Sequence, residues 1–287
     1  MALIPSLEIE TKLQERLNAP MKWKEICNVK MTDTGVLKNP YLTDATQATG
    51  TRYAGVASVA SVTTDESVSI TDYVYSMQHI DDADIAQKSF SDFMEIADNM
   101  AVVLNEGMET AMLLEHAQWT NIGDLGGGAI GAGATAITVS LSNIKTIITK
   151  MKELARTAGG AEMADRNGMF IQWREADYTL VEQLASSEGF SVADNVLQNG
   201  IKQGFRYLGV EHYSTSRNVT GHVFGGVKKA FMVGIVKSTY GKVKTIVNPY
   251  VSSLPGVISG IGLESRIDRK FKAWTKMAPI LYDINVA

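Results

Sequence analysis

The chain has 287 residues, 45% of them apolar and 20% charged, with a net charge of -4. That composition excludes wholesale disorder and leaves room for one large domain or two small ones. The single cysteine, Cys27, excludes an internal disulfide and a clustered-thiolate zinc site, and reads as a small apolar residue.

Residues 1–50 read as an extended N-terminal arm. A short helix is expected over residues 6–17, with Leu7, Leu13 and Leu17 apolar among charges, ended by Pro20. From Val29 to Gly50 no period is sustained, and Gly35, Pro40 and Gly50 punctuate the run. Irregular stretches of that length are usually functional or ordered by a partner. The start, Met1-Ala2-Leu3-Ile4-Pro5, lacks the basic-then-apolar pattern of a signal peptide, and no run of about 18 apolar residues follows. Synthesis in a reducing cytoplasm, with no membrane partner, is expected.

Residues 51–83 predict a long β-hairpin, with strands over 53–62 and 67–78 and a turn at Thr63-Thr64-Asp65-Glu66. Residues 84–118 predict one long helix. Phe93, Ile96, Met100, Val103, Ala111 and Leu114 recur at three- and four-residue spacing, and Met94, Ala101, Met108 and Met112 form a second face. Such a helix, about 45–52 Å long, would run nearly the length of a molecule whose radius of gyration is about 19 Å. It is a spine, and Gly107 inside it weakens the pattern slightly. The glycine-rich run 123–133 then reads as a linker closing an 84–133 segment.

Residues 134–287 alternate as an α+β region. Strands are expected over 136–139 and 169–173, and helices over 142–158 and 175–185. Further strands follow over 209–213, 231–236, 243–247, 257–264 and 273–282. Helices on a mainly antiparallel sheet are the outcome.

Charge is unevenly placed. Residues 201–287 hold 13 Lys+Arg against 4 Asp+Glu, and residues 65–124 hold 13 acids against one base, Lys88. An acidic block of that density is either a solvated face or one that meets a basic neighbour, which the C-terminal third of another copy would supply.

Chemical motifs are sparse. The run 123–133 follows a helix and has no G-K-[ST], so it is not a phosphate loop. His79, His116, His212 and His222 form no local ligand pair, and Glu115 beside His116 is at the wrong spacing. Asp81, Asp82 and Asp84 suit a helix start better than a cation site. Ser214, Thr215 and Ser216 lie near His212 with nothing to mark acyl transfer. Arg266, Arg269, Lys270, Lys272 and Lys276, interleaved with Phe271 and Trp274, suit a strand with one wet face or a protein interface better than specific nucleic-acid binding.

The order of elements resembles the Hong Kong 97-type fold of tailed-phage major capsid proteins: arm, long hairpin, spine helix, glycine run, α+β region. The texture of Leu208-Gly209-Val210-Glu211-His212-Tyr213, of Gly225-Gly226-Val227-Lys228-Lys229-Ala230-Phe231 and of Gly262-Leu263-Glu264-Ser265-Arg266 is similar too. The resemblance covers nearly the whole chain and rests on architecture, not on a signature motif. It implies a structural shell subunit, not an enzyme, with no catalytic, cofactor-binding or metal residue and no cofactor. Its partners would be many copies of itself as pentamers and hexamers, a separate scaffolding protein, a portal, and packaged DNA held by weak non-specific contact. Its place would be the virion capsid. Two alternatives stay open: an encapsulin-type compartment around a cargo enzyme, and an unrelated α+β enzyme with a deep pocket.

Overall fold

A computed structural model describes residues 21–42, 63–80, 90–187, 205–240, 242–247 and 260–287. In its first part α1 (Trp23–Ile26) precedes β1 (Asn28–Thr32), β2 (Val36–Leu42), β3 (Thr63–Ser69), β4 (Asp72–Ile80) and the spine helix α2 (Phe90–Leu114). Next come β5 (Thr120–Gly126), β6 (Ala129–Ala132), α3 (Ile144–Thr157), α4 (Ala161–Asn167), β7 (Met169–Arg174) and α5 (Glu175–Ser187). The rest is strand: β8 (Phe205–Tyr207), β9 (Val210–Thr215), β10 (His222–Val227), β11 (Phe231–Val236), β12 (Val243–Val247), β13 (Ile261–Ala273) and β14 (Leu281–Asn285). No described helix is long and apolar enough to cross a membrane.

Two large sheets and the two-stranded β2–β3 sheet organise the described residues. The seven-stranded sheet runs β6-β5-β14-β10-β7-β9-β8, and α3 packs on it. Ile144, Ile147, Ile148, Met151 and Ala155 are all buried, as the 3.6-residue period requires. That helix stops at Gly159, whose φ of +79° lets the Gly160 N–H reach back to the Ala155 carbonyl.

The second sheet is built on β13. Its first nine residues pair with β4, from Ile261↔Ile80 to Arg269↔Asp72. Ile261–Ser265 also pairs with β12, and Arg269–Ala273 with β11. Both edges of β13 are therefore occupied, and β11 and β12 lie end to end along one of them. The spine helix crosses β4 and β13. At Gly107 the approach is so close that a Cβ would lie 2.5 Å from Val74 Cγ1. Glycine inside the helix is thus a packing requirement. Among described residues the helix has 25 residues, about 37 Å at 1.5 Å per residue.

Trp119 joins the layers. Its ring packs edge-on against Phe170 and Phe224 of the seven-stranded sheet and against Phe231 of the other, with centroids 6.4, 5.2 and 5.1 Å away. Phe231 stacks in turn on Phe271 of β13.

Several expectations need correction. The turn expected at Thr63-Thr64-Asp65-Glu66 is strand, because Thr63–Ser69 pairs antiparallel with Val36–Leu42, far back in the expected arm. The expected partner strand 53–62, the helix 6–17 and the acids Asp81, Asp82 and Asp84 lie outside the described residues.

The glycine run is not a linker but a hairpin, β5–β6, turning at Gly126, Gly127 and Gly128 with φ between +63° and +91°. Ile122 and Ile130 anchor it in the core, and a Cβ at Gly123 would strike the Thr135 and Gly133 carbonyls. The expected strand 136–139 is reduced to one bridge, Ile137↔Val286. The last strand starts late, at Leu281, because Pro279 has no N–H to donate and sits in a 3-10 turn.

Replacing Trp119 by Ala is expected to destabilise the unassembled chain by about 3–5 kcal/mol. Phe should cost far less, because the indole N–H is buried with no hydrogen-bond partner among the described residues. Urea midpoints with unchanged m-values check this.

Candidate assembly surface

The face of β4 that is richer in large apolar groups points away from its own chain. Along Asp72–Ile80 exposure alternates. Val74 and Ile80 turn inward, Val74 against Gly107 of the spine helix. Ser76 and Gln78 share that side. Tyr73, Tyr75 and Met77 turn outward and are 50%, 61% and 39% exposed. The register sets Arg266 opposite Tyr75 and Glu264 opposite Met77. The Arg266 guanidinium lies 4.1 Å from the Tyr73 ring centroid and pairs with Asp268. The result is an aromatic stripe with a charged border on a strand whose described pairing is with β13 alone. A strand inside one chain would normally place its tyrosines and methionine on the core side.

The base of the β2–β3 hairpin covers the other end of the same sheet face, with Leu37 and Ile70 over Gly234. Glu66 accepts the Thr275 backbone N–H at 3.0 Å and faces Lys272 Nζ at 3.3 Å, and Asp72 pairs with Lys270 at 2.7 Å. Burial works against ionising Glu66, but these partners hold its carboxyl below the usual range. For Asp72 the Lys270 hydrogen bond is the main cause of the same downward shift. Glu106 pairs with Arg217. The acidic front and basic back of the sequence therefore meet within one chain at these points, where the charge pattern suggested a neighbouring copy.

Beneath the surface, buried polar groups are used for holding. Glu109, in the core, accepts the backbone N–H groups of Lys22 and Trp23 at 3.0 and 2.8 Å and the Gln172 amide. Burial pushes its carboxyl pKa up. The contact fixes the first described residues to the spine helix. Lys228 Nζ reaches Glu25, Glu211 and the Tyr213 hydroxyl at 3.1, 2.6 and 2.7 Å. Despite partial burial, Glu25 is held down to about 2 by hydrogen bonds from Lys22, Lys228 and Tyr213.

Among the described residues, the chemical candidates are held in structural contacts with other parts of the chain. Cys27 is buried, its Sγ lies 3.4 Å from Met112 Sδ, and burial raises its thiol pKa well above the ordinary value. Ser214 and Thr215 are buried. His212 Nδ1 accepts the Trp173 indole N–H at 2.9 Å, so the ring proton sits on Nε2, 3.2 Å from the Tyr207 carbonyl. Phe271 and Trp274 are buried and offer no stacking platform for bases. His116 and His222, distant in sequence, converge on the buried carboxylate of Asp283. No local spacing could have revealed that meeting.

No protein-family model matches the chain, and no curated protein matches it in sequence. Solved structures do. A chain from Mycobacterium phage Che8 aligns with TM-score 0.64 at 12% identity, over 95% of this chain and 94% of its own. The capsid of a native GTA particle gives 0.62 at 11% identity, over 94% and 91%. A virus-like particle from Pyrococcus furiosus gives 0.53 at 9% identity, over 93% and 92%. The likeness is one of fold: this chain has the Hong Kong 97-type capsid fold, α+β with mainly antiparallel sheets, expected from its element order.

Burial lowers the His212 pKa to about 4. Between that value and the ordinary 6.5 the unfolded chain binds the extra proton, so stability is full above pH 6.5 and falls as pH drops toward 4. The loss expected from this residue is on the order of 3 kcal/mol. Chemical denaturation of wild type at pH 7 and 5 should show a larger difference than for His212→Gln. Equal differences would contradict the assignment.

Proposed function

We propose that this chain is the major capsid protein of a tailed bacteriophage. Many copies, as pentamers and hexamers, would form the icosahedral shell around double-stranded DNA. The single observation that supports this most is the outward aromatic stripe of β4, on a fold shared with a GTA capsid and a phage chain. An exposed strand face carrying Tyr73, Tyr75 and Met77 is a hazard for a monomer and a contact for a polymer of like chains.

The division into arm (1–50), hairpin (51–83), spine (84–133) and compact region (134–287) goes with this proposal. The pairing of Val36–Leu42 with Thr63–Ser69 draws the hairpin's base back into the arm. A scaffolding protein, a portal and weak DNA contact complete the proposed partners, and the virion is the proposed location. An encapsulin-type compartment is the weaker reading, since phage chains and GTA capsids recur among the solved structures that share the fold. Isolated particles separate the two: nucleic acid inside supports the phage reading, and a co-purifying protein cargo supports the other. Catalysis has no part in the proposal.

Tyr75→Asp places a charge in the stripe at an exposed strand position, where the poorer strand propensity of Asp and loss of the Tyr73 ring contact should cost about 1 kcal/mol. The variant is expected to keep its circular dichroism and lose only a few degrees in melting temperature while sedimenting as small species under conditions where wild type forms large particles. Wild-type assembly by the variant would remove the stripe from the interface.

A further inference from the structure

The cluster at His116, His222 and Asp283 has the composition and spacing of a metal site. His116 lies in the 3-10 turn that follows the spine helix, His222 opens β10, and Asp283 is in β14. Three segments that are distant in sequence thus place two imidazoles on one carboxylate. His116 Nδ1 is 3.0 Å from Asp283 Oδ2, and His222 Nδ1 is 2.9 Å from each carboxylate oxygen. The two rings lie face to face at a tilt, with centroids 4.2 Å apart and 41° between planes. All the ligand atoms fall within 4.8 Å of one another. Asp283 is 1% exposed, while the imidazoles are 26% and 24% exposed, so the cluster is anchored inside and reachable from outside.

We infer that these three residues bind a first-row divalent transition ion of the zinc, cobalt or nickel type. Donor atoms about 2.1 Å from an ion lie about 3.0 Å apart in cis octahedral positions and about 3.4 Å apart in tetrahedral ones. The His–Asp separations of 2.9–3.0 Å need little or no opening to meet either. Two imidazoles and one carboxylate are a borderline-soft set; calcium and magnesium want more oxygens than are present here. Each imidazole directs Nδ1 at the carboxylate. On binding, its proton passes through solvent to Nε2, and the freed Nδ1 lone pair takes the metal with no net charge change on the ring. The half-open side leaves the remaining coordination positions to water. Such an ion would fasten β14 and β10 to the end of the spine helix, linking the compact region to the outer layer.

The test uses the full-length chain with any affinity tag removed and metals stripped by EDTA, titrated with zinc chloride and, separately, with cobalt(II). One zinc per chain is expected in calorimetry, with a rise in melting temperature that grows with zinc concentration. His116→Gln and His222→Gln, both at half-open positions, should each lose at least about tenfold in affinity, and His79→Gln, on the outer face of β4, should lose none. The cobalt form of the wild type should show visible d–d bands without a thiolate charge-transfer band, a reading that needs no variant to fold. Absence of stoichiometric binding, unchanged affinity in both cluster variants, or a thiolate band pointing to Cys27 would each overturn the inference.

Discussion

The architecture depends on the pairing of one thirteen-residue strand, Ile261–Ala273, along both its edges. Alternation along that strand decides what lies on each side. Ile267 and Phe271 face the core, whereas Arg266, Asp268, Lys270 and Lys272 face outward. A one-residue slip against β4 would bury the charges and expose the apolar set. Phe271 passes the constraint on through Phe231 to Trp119, so the register of one strand is coupled to the packing of both sheets. Gln118 locks the same junction: its amide accepts the Ala273 backbone N–H at 2.9 Å.

The polar groups of the interior act as ties between segments far apart in the chain. Glu109 on the spine helix holds Lys22 and Trp23 by their backbone N–H groups. Lys228 draws Glu25 and Glu211 together. A buried carboxylate is costly unless its lone pairs are used, and here hydrogen bonds use them. The outer layer is held to the core by such contacts and by hydrophobic packing, and the tyrosine stripe on β4 is left unburied within the chain.

Local signals in the sequence were read well where an element's partner face is its own core. The helix Ile144–Thr157, with its isoleucine stripe and Gly159 stop, and the strands Met169–Arg174, Val210–Thr215 and Phe231–Val236 fall close to where periodicity places them. The same rule fails where glycine reads as irregular backbone: Gly123 leaves room for the Gly133 and Thr135 carbonyls and Gly131 for the Leu125 side chain, within a paired hairpin. The pairing of Val36–Leu42 with Thr63–Ser69 has no local signature, nor does the convergence of His116, His222 and Asp283, because both are set by topology. The outward turn of Tyr73, Tyr75 and Met77 was equally hidden. Alternation tells that a strand has two faces, and only the packed neighbours tell which one the chain itself covers.

The proposed capsid role makes one physical claim: this chain reaches its lowest free energy among copies of itself. Negative-stain electron microscopy of the purified full-length protein tests that most directly. The account predicts closed shells, or rings of five or six subunits that close into shells when a scaffolding protein is co-expressed. A dispersed monomer at every protein and salt concentration, with the scaffolding protein present, would contradict it.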